Sequence, residues 1–307
     1  MREEWQEGSV PLRILKESGY KINVYSSSDL TYFNMDQLLF GKNRVLIDQM
    51  EDFSQIRFIE PYERDFRVVE TLLKDLESPA RRTGHVFIVF FDATHSEYSV
   101  PPNDPPIFQP ALKEIDYLTL TPTNIEPLKN RYRNAIFYID SLMGKFFRAL
   151  NERKLYADSI IAITGDHGEE FFEDGALFHG THLNHYQTSV PIFCKFQKNP
   201  WVLQSQSATH IDLFPTIIHH LTGRLDFEHL FDGQSLFAPN RWPYRLAVLQ
   251  NGPKTPAEFS IAKEGEFFQF RFPDIRHIYQ TKELEILQAS IPPDEAPDLL
   301  KPLLHRE

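Results

Sequence analysis

Cysteine is nearly missing from this chain of 307 residues, in which Cys194 stands alone. One thiol excludes an intrachain disulfide and any structural zinc site built from cysteines. Positive charge is scarce as well: 32 Lys and Arg face 43 Asp and Glu, a formal net charge of -11. That balance excludes non-specific nucleic-acid binding, which needs a basic surface. An anionic substrate would need local positive charge or a metal ion to overcome the background field. No apolar run approaches the length that spans a bilayer. The segment from Met1 to Gly8 has no signal-peptide apolar core, so the expectation for the chain by itself is a soluble protein without an export signal. Internal repeats and low-complexity tracts are absent too.

What is present reads as alternating helix and strand. Leu12, Ile14 and Leu15 before Gly19 predict a helix, and Lys21 to Tyr25 alternates as a strand. A second helix is expected over 66–76. The run Gly84-His-Val-Phe-Ile-Val-Phe-Phe91 is continuously apolar, as in the middle of a parallel sheet. Residues 99–127, rich in Pro, Thr and Asn, predict a long loop or lid. Over 128–152, Tyr132, Ala135, Ile136, Ile139, Leu142, Met143, Phe146 and Leu150 share one helical stripe. Ile160 to Ile163 predicts a buried strand, Val190 to Phe196 another, and His210 to Leu221 a helix ended by Thr222-Gly223. Arg245 to Gln250, Phe259 to Lys263 and Phe267 to Phe272 predict short antiparallel strands. The fold class expected is α/β, with a mostly parallel central sheet flanked by helices. The expected division is a core over 1–240 and a small antiparallel C-terminal subdomain with a tail over 241–307.

The most informative segment is Asp158-Ser-Ile-Ile-Ala-Ile-Thr-Gly-Asp-His-Gly-Glu-Glu170. A strand ends at Gly165 and presents Asp166 and His167 side by side, a hard oxygen and a borderline nitrogen donor on one turn. Glu169 and Glu170 add acid just beyond, and a bound cation would relieve the repulsion among three neighbouring carboxylates. The plain alternative is an Asp capping a turn and a His satisfied by backbone. His95 follows the strongest strand, so both segments are expected at one sheet edge, beyond the carboxyl ends of the strands where ligands sit. It reads as a substrate contact, a second metal ligand or a surface-loop histidine. His179, His182 and His185 recur every three residues in a loop that carries Gly180. Any one of them suits a site or a polar loop; three so close to Asp166-His167 favour at least one at the site. Cys194 reads as a small buried hydrophobe, and His219-His220 as packing and surface.

On these residues the chain resembles the sulfatase and alkaline-phosphatase superfamily. It is most similar to the membrane-anchored branch of YejM-like proteins, lipoteichoic acid synthases and lipid A phosphoethanolamine transferases. Thr164-Gly-Asp-His-Gly-Glu169 resembles the second metal motif of that family. Phe91-Asp-Ala-Thr-His-Ser-Glu-Tyr98 resembles its strand-end histidine segment. His179-Gly180, Gln187-Thr-Ser-Val-Pro191, His210-Ile-Asp-Leu-Phe-Pro-Thr216 and Asp232-Gly-Gln-Ser-Leu236 are similar to segments that follow. Leu15-Lys-Glu-Ser-Gly-Tyr20 resembles a helix-to-strand step that comes after the family's first strand. The likeness runs from about residue 9 to about residue 275.

The resemblance implies an activated hydroxyl attacking sulfur or phosphorus in line, with a divalent ion (Zn, Mn, Mg or Ca) lowering its pKa and stabilising charge. Asp166 and His167 would hold that ion, and His95, His179 and His182 would bind oxygens of the transferring group. The substrate so implied is an anionic sulfo- or phosphoester, free or lipid-linked, met outside the cytoplasmic membrane, on its periplasmic face. The family's acidic first-strand ligand and its Thr, Ser or modified Cys nucleophile would lie before Met1. The expectation is therefore a domain lacking its first strand, inactive by itself, with membrane attachment only through a segment outside this sequence. Ser9-Val-Pro-Leu-Arg13 matches the Ser-x-Pro-x-Arg skeleton of a sulfatase nucleophile, but Ser9 opens a helix and reads more simply as its N-cap. The rival reading is a catalytically inactive YejM-like lipid-binding or regulatory domain. A cytoplasmic enzyme similar to phosphoglycerate mutase fits poorly, because that branch uses two full metal sites.

Overall fold

The computed structural model describes residues 6–56, 58–197, 208–226, 228–239, 241, 245–249, 258–263, 266–271 and 285–289. The chain forms two compact units, Met1–Ser159 and Ile160–Glu307.

In the first unit, a proline in the first turn starts α1 (Val10–Glu17), which buries Leu12 and Leu15. Ser9 takes the N-cap position with extended backbone, though its side chain makes no cap bond. Gly19, at φ 88°, supplies the left-handed turn into β1 (Lys21–Ser26). There follow α2 (Met35–Phe40), β2 (Gln49–Asp52), α3 (Pro61–Asp75), β3 (His85–Phe90) and α4 (Glu126–Glu152). The strands make one parallel sheet in the order β2-β1-β3. Only the central β1 is buried on both faces, through Ile22, Val24 and Tyr25. α3 packs on β1 and on α4, burying Val68, Val69 and Leu72 at helical spacing.

One buried carboxylate ties the carboxyl end of this sheet together. Asp65 on α3 is fully buried. It accepts hydrogen bonds from the Ser27 hydroxyl and from the backbone N–H groups of Asp92 and Ala93, the latter two at 2.9 and 2.8 Å. Its neighbour Arg64 pairs with Asp92 at 2.8 Å and donates to the Ser54 carbonyl beyond β2. The loop that carries His95 is thus fixed at its root.

The second unit begins with β4 (Ile161–Thr164), then β5 (Glu170–Phe171), β6 (Leu177–Phe178), α5 (His185–Thr188), β7 (Ile192–Lys195) and α6 (Leu213–Thr222). β4 and β7 pair antiparallel, as do β5 and β6. Gly223, at φ 69°, closes α6 in the left-handed conformation. β8 (Arg245–Leu249), β9 (Glu258–Lys263), β10 (Glu266–Arg271) and β11 (Glu285–Ala289) form a separate antiparallel sheet. Its core stacks Phe259 on Phe270 at 5.3 Å and Phe268 on Phe270 at 5.2 Å. Gln250 and Phe272, expected as strand ends, lie outside the described residues.

Several expectations need correction. The strand before Asp166 is half exposed rather than buried, and it pairs with β7 rather than joining the parallel sheet. Among the described residues, Asp166-His167 and His95 follow strands that pair in two separate sheets. A short apolar run does not reveal the direction of its neighbour. β3, which reads as a central strand, pairs only with β1 among the described residues, and its side chains are half exposed. Cys194 is exposed, as is its neighbour Phe193 on the same short strand. On α4, Ile136 is 44% exposed while Asn130 and Asn134 are buried. Those amides lie on the opposite side of the helix from Ile136 and hold the 99–125 loop through the carbonyls of Pro110 and Phe108, so the loop buries a polar face that the apolar pattern left to solvent.

Candidate metal centre

β4 delivers the chain to Gly165, and the turn beyond is pinned on three sides. His210, just before α6, contacts the Gly165 carbonyl through Nε2 at 2.8 Å. The Gly168 N–H donates to the Gln187 carbonyl at 2.9 Å. A Cβ on Gly168 would lie 2.0 Å from the Tyr186 carbonyl oxygen, so only glycine permits this approach to α5. Between these pins stand Asp166 and His167.

Asp166 uses one carboxylate oxygen to accept the His167 backbone N–H at 3.0 Å. Its other oxygen lies 3.6 Å from His167 Nε2. His167 Nδ1 lies 2.9 Å from the Gly168 carbonyl, a geometry that assigns the proton to Nδ1 and leaves a lone pair on Nε2. Two lone-pair donors then face each other, an arrangement that a cation between them would relieve. Two ligands on one zinc at about 2.0–2.1 Å in tetrahedral geometry stand about 3.4 Å apart. The donor pair fits a divalent ion on chemistry and spacing. Among the described residues, no group of three or more His, Cys, Asp or Glu side chains is placed to hold one ion.

His179 joins them. Its ring stacks on His167 with centroids 3.8 Å apart and 28° between planes. Its Nδ1 lies 3.2 Å from Glu169, a carboxylate only 5% exposed. That hydrogen bond holds the His179 imidazole above its usual pKa, against the opposing effect of burial. In its protonated form, which Glu169 favours, the ring beside the Asp166–His167 pair can receive an anionic oxygen. His182 sits in the same loop, its Nδ1 3.1 Å from the Thr181 hydroxyl and its backbone N–H bonded to Gln187. His185, on α5, turns to Ser189 at 2.8 Å. His95 belongs to the first unit; its Nδ1 lies 2.9 Å from the Ser96 carbonyl.

The acidic cluster does not behave as the sequence suggests. Glu170 is fully buried and accepts the N–H groups of Asp174 and Ala176 and the side-chain amides of Asn184 and Gln187. Burial pushes its carboxyl up, but these four donors outweigh it and hold the group below the usual carboxylate range. Glu169 is matched by His179. The repulsion expected to call for a cation is therefore met by protein donors at both glutamates. Sequence reading missed Asn184, Gln187 and His210 as parts of the site, and took Glu170 for an acid facing the cation rather than a buried hub. An Asn three residues before a Gln at a helix start was the available signal, since Asn184 does cap α5 by accepting the Gln187 N–H.

Residues 11–223 match the family model of the sulfatases. Among solved structures, a putative sulfatase from Bacteroides thetaiotaomicron aligns with a TM-score of 0.58 and 15% identity, over 95% of this chain and 72% of that one. The 2-O GAG sulfatase BT1596 aligns at 0.54 and 16%, over 95% and 72%. The lipoteichoic acid synthase LtaP from Listeria monocytogenes aligns at 0.52 and 16%, over 89% of this chain. The chain spans 65% of the LtaP chain, just under two thirds. At such identities the likeness is one of fold.

Proposed function

Because the chain belongs to the sulfatase family, we propose that it is a metal-binding domain of the sulfuric- and phosphoric-ester hydrolases and transferases, with Asp166 and His167 as ligands of a divalent ion. The observation that carries this reading is the 3.6 Å approach of an Asp166 carboxylate oxygen to His167 Nε2, on an imidazole whose other nitrogen meets the Gly168 carbonyl. Zn, Mn, Mg or Ca would supply Lewis acidity toward the ester when bound. The chain's own groups do the rest. Glu169 favours the protonated form of His179, which can face an anionic oxygen, Gly168 and His210 fix the turn, and His182 lines the loop beside them. His95, in the first unit, is proposed for an oxygen contact on its motif likeness alone. The substrate class is an anionic sulfate or phosphate ester, free or lipid-linked, encountered outside the cytoplasmic membrane. The motif likeness to the membrane-anchored branch supports that placement. Among the described residues no helix is long and apolar enough to cross a membrane.

Equilibrium dialysis with Zn or Mn tests the ligand pair. Binding of one ion per chain, weakened at least tenfold by Asp166→Ala, is the expected result, since loss of a ligand costs at least what loss of its supporting partners does. Equal binding by wild type and variant would remove the reading. Asp166 is exposed, so the substitution changes folding stability by about 0.5 kcal/mol or less.

A second reading is favoured by the same site. With only Asp166 and His167 assigned as ligands among the described residues, the domain fits a binding or regulatory module that has kept part of its metal site. Stoichiometric metal without turnover favours this module reading.

A further inference from the structure

The two halves of the candidate centre meet at one side chain outside the ligand set. Gln187 is 4% exposed and every polar atom of its amide is used. Its Nε2 donates to Glu170 at 2.8 Å and to the Thr181 hydroxyl at 2.9 Å. Its Oε1 accepts the backbone N–H groups of Thr181 and His182, each at 3.0 Å. Its own backbone carbonyl accepts the Gly168 N–H. One residue thus touches the turn bearing Asp166 and His167 and the loop bearing His179 and His182.

We propose that Gln187 is the positioning residue that locks the Asp166–His167 turn and the His179–His182 loop to the buried carboxylate of Glu170, and so sets the spacing of the donor atoms. The inference rests on the metal reading above for its consequence in binding, but not for its geometry. A carboxylate in a dry pocket needs donors, and its amide donors come from Gln187 and Asn184. Once Nε2 is committed to Glu170, the planar amide fixes where Oε1 points. Oε1 then dictates the path of the backbone at 181 and 182. Gly168, with no Cβ, lets the Asp166 turn lie directly against the same segment. Two loops that sequence reading treats as separate are one hydrogen-bonded unit, and a shift of Gln187 would displace both. None of the hydrogen bonds that the Glu170 carboxylate accepts comes from residues 165–168, so its side chain is tied to the turn through Gln187.

The test uses Gln187→Met in the full chain, which keeps the volume and removes every side-chain hydrogen bond. Zinc affinity, read by competition with a chromogenic chelator, should fall by about ten- to a hundredfold, the usual cost of losing a group that orients metal ligands. The imidazole nitrogen signals of His167 and His179 should move in NMR spectra of the metal-free protein, and the Thr181 and His182 amides should exchange faster. Ser235→Ala is the control: it removes another buried bond, to His219 at 2.8 Å, and should lower the melting temperature without moving zinc affinity or those signals. Wild-type affinity and unmoved imidazole signals in Gln187→Met overturn the inference. If wild type itself binds no zinc, the metal reading is lost and the imidazole signals decide alone: moved, they support the positioning role; unmoved, they overturn it. Should Gln187→Met fail to fold, Thr181→Val breaks one of the ties and is read in the same way. The expected fall in affinity is then about threefold, the worth of one neutral hydrogen bond.

Discussion

Asp65 shows how far a single buried residue can control its surroundings. Burial pushes its carboxyl up to about 6, against the hydrogen bonds from Ser27, Asp92 and Ala93. The folded chain therefore keeps a proton that the unfolded chain loses near pH 4, and the sign follows. The stability tied to this proton is fully present below about pH 4 and declines as pH rises to about 6, by about 3 kcal/mol for a shift of about two pKa units. Urea unfolding from pH 4 to pH 7 should show that decline in wild type and lose it in Asp65→Asn. An identical pH slope in both proteins would refute it. The same scale marks the limit of reading residues in sequence. Asp166 and His167 announce themselves as a donor pair. Glu170 announces itself as one more acid on the same segment, yet it turns inward and becomes a hub. Which way a carboxylate faces depends on donors from 174 to 187, and these are fixed only once the loop has folded.

Helix α4 separates pattern from packing. The apolar stripe predicts the helix and its extent to within two residues at its start. It misses a second buried face, where the 99–125 loop lies against Asn130 and Asn134, and it counts Ile136 as core although that side chain is exposed. Leu142, 1% exposed, should cost about 2–5 kcal/mol when cut to Ala. Ile136→Ala, on the exposed side of the same predicted stripe, should stay within about 0.5 kcal/mol. Chemical denaturation of the two variants checks the contrast; comparable losses would restore the stripe as first drawn. α2, β2, the β5–β6 pair and β11 were not anticipated. β2, Gln-Met-Glu-Asp, has no alternation of its own and is a strand because β1 offers it a ladder.

For the molecule as a whole, the metal-loaded chain should not hydrolyse p-nitrophenyl sulfate or phosphate above background. The ligand pair is joined by no third His, Cys, Asp or Glu donor among the described residues. Covalent transfer also needs a hydroxyl held at the ion, and Ser9, the nearest match to a nucleophile motif, starts α1. Turnover that vanishes in Asp166→Ala would contradict this. The net charge of -11 makes the local cation, His179 together with any bound ion, the means by which an anionic ester would be held.

The sequence by itself determined the family, the α/β class, the long helix, the lid-like loop and the Asp-His pair. These depend on local periodicity and on residue chemistry that one short segment carries complete. The tertiary structure alone decided that β4 runs antiparallel to β7, that β1 lies between β2 and β3, and that Gln187 joins two loops to Glu170. Each of these depends on which distant backbone arrives alongside, and a hydrogen bond between segments is written in neither segment.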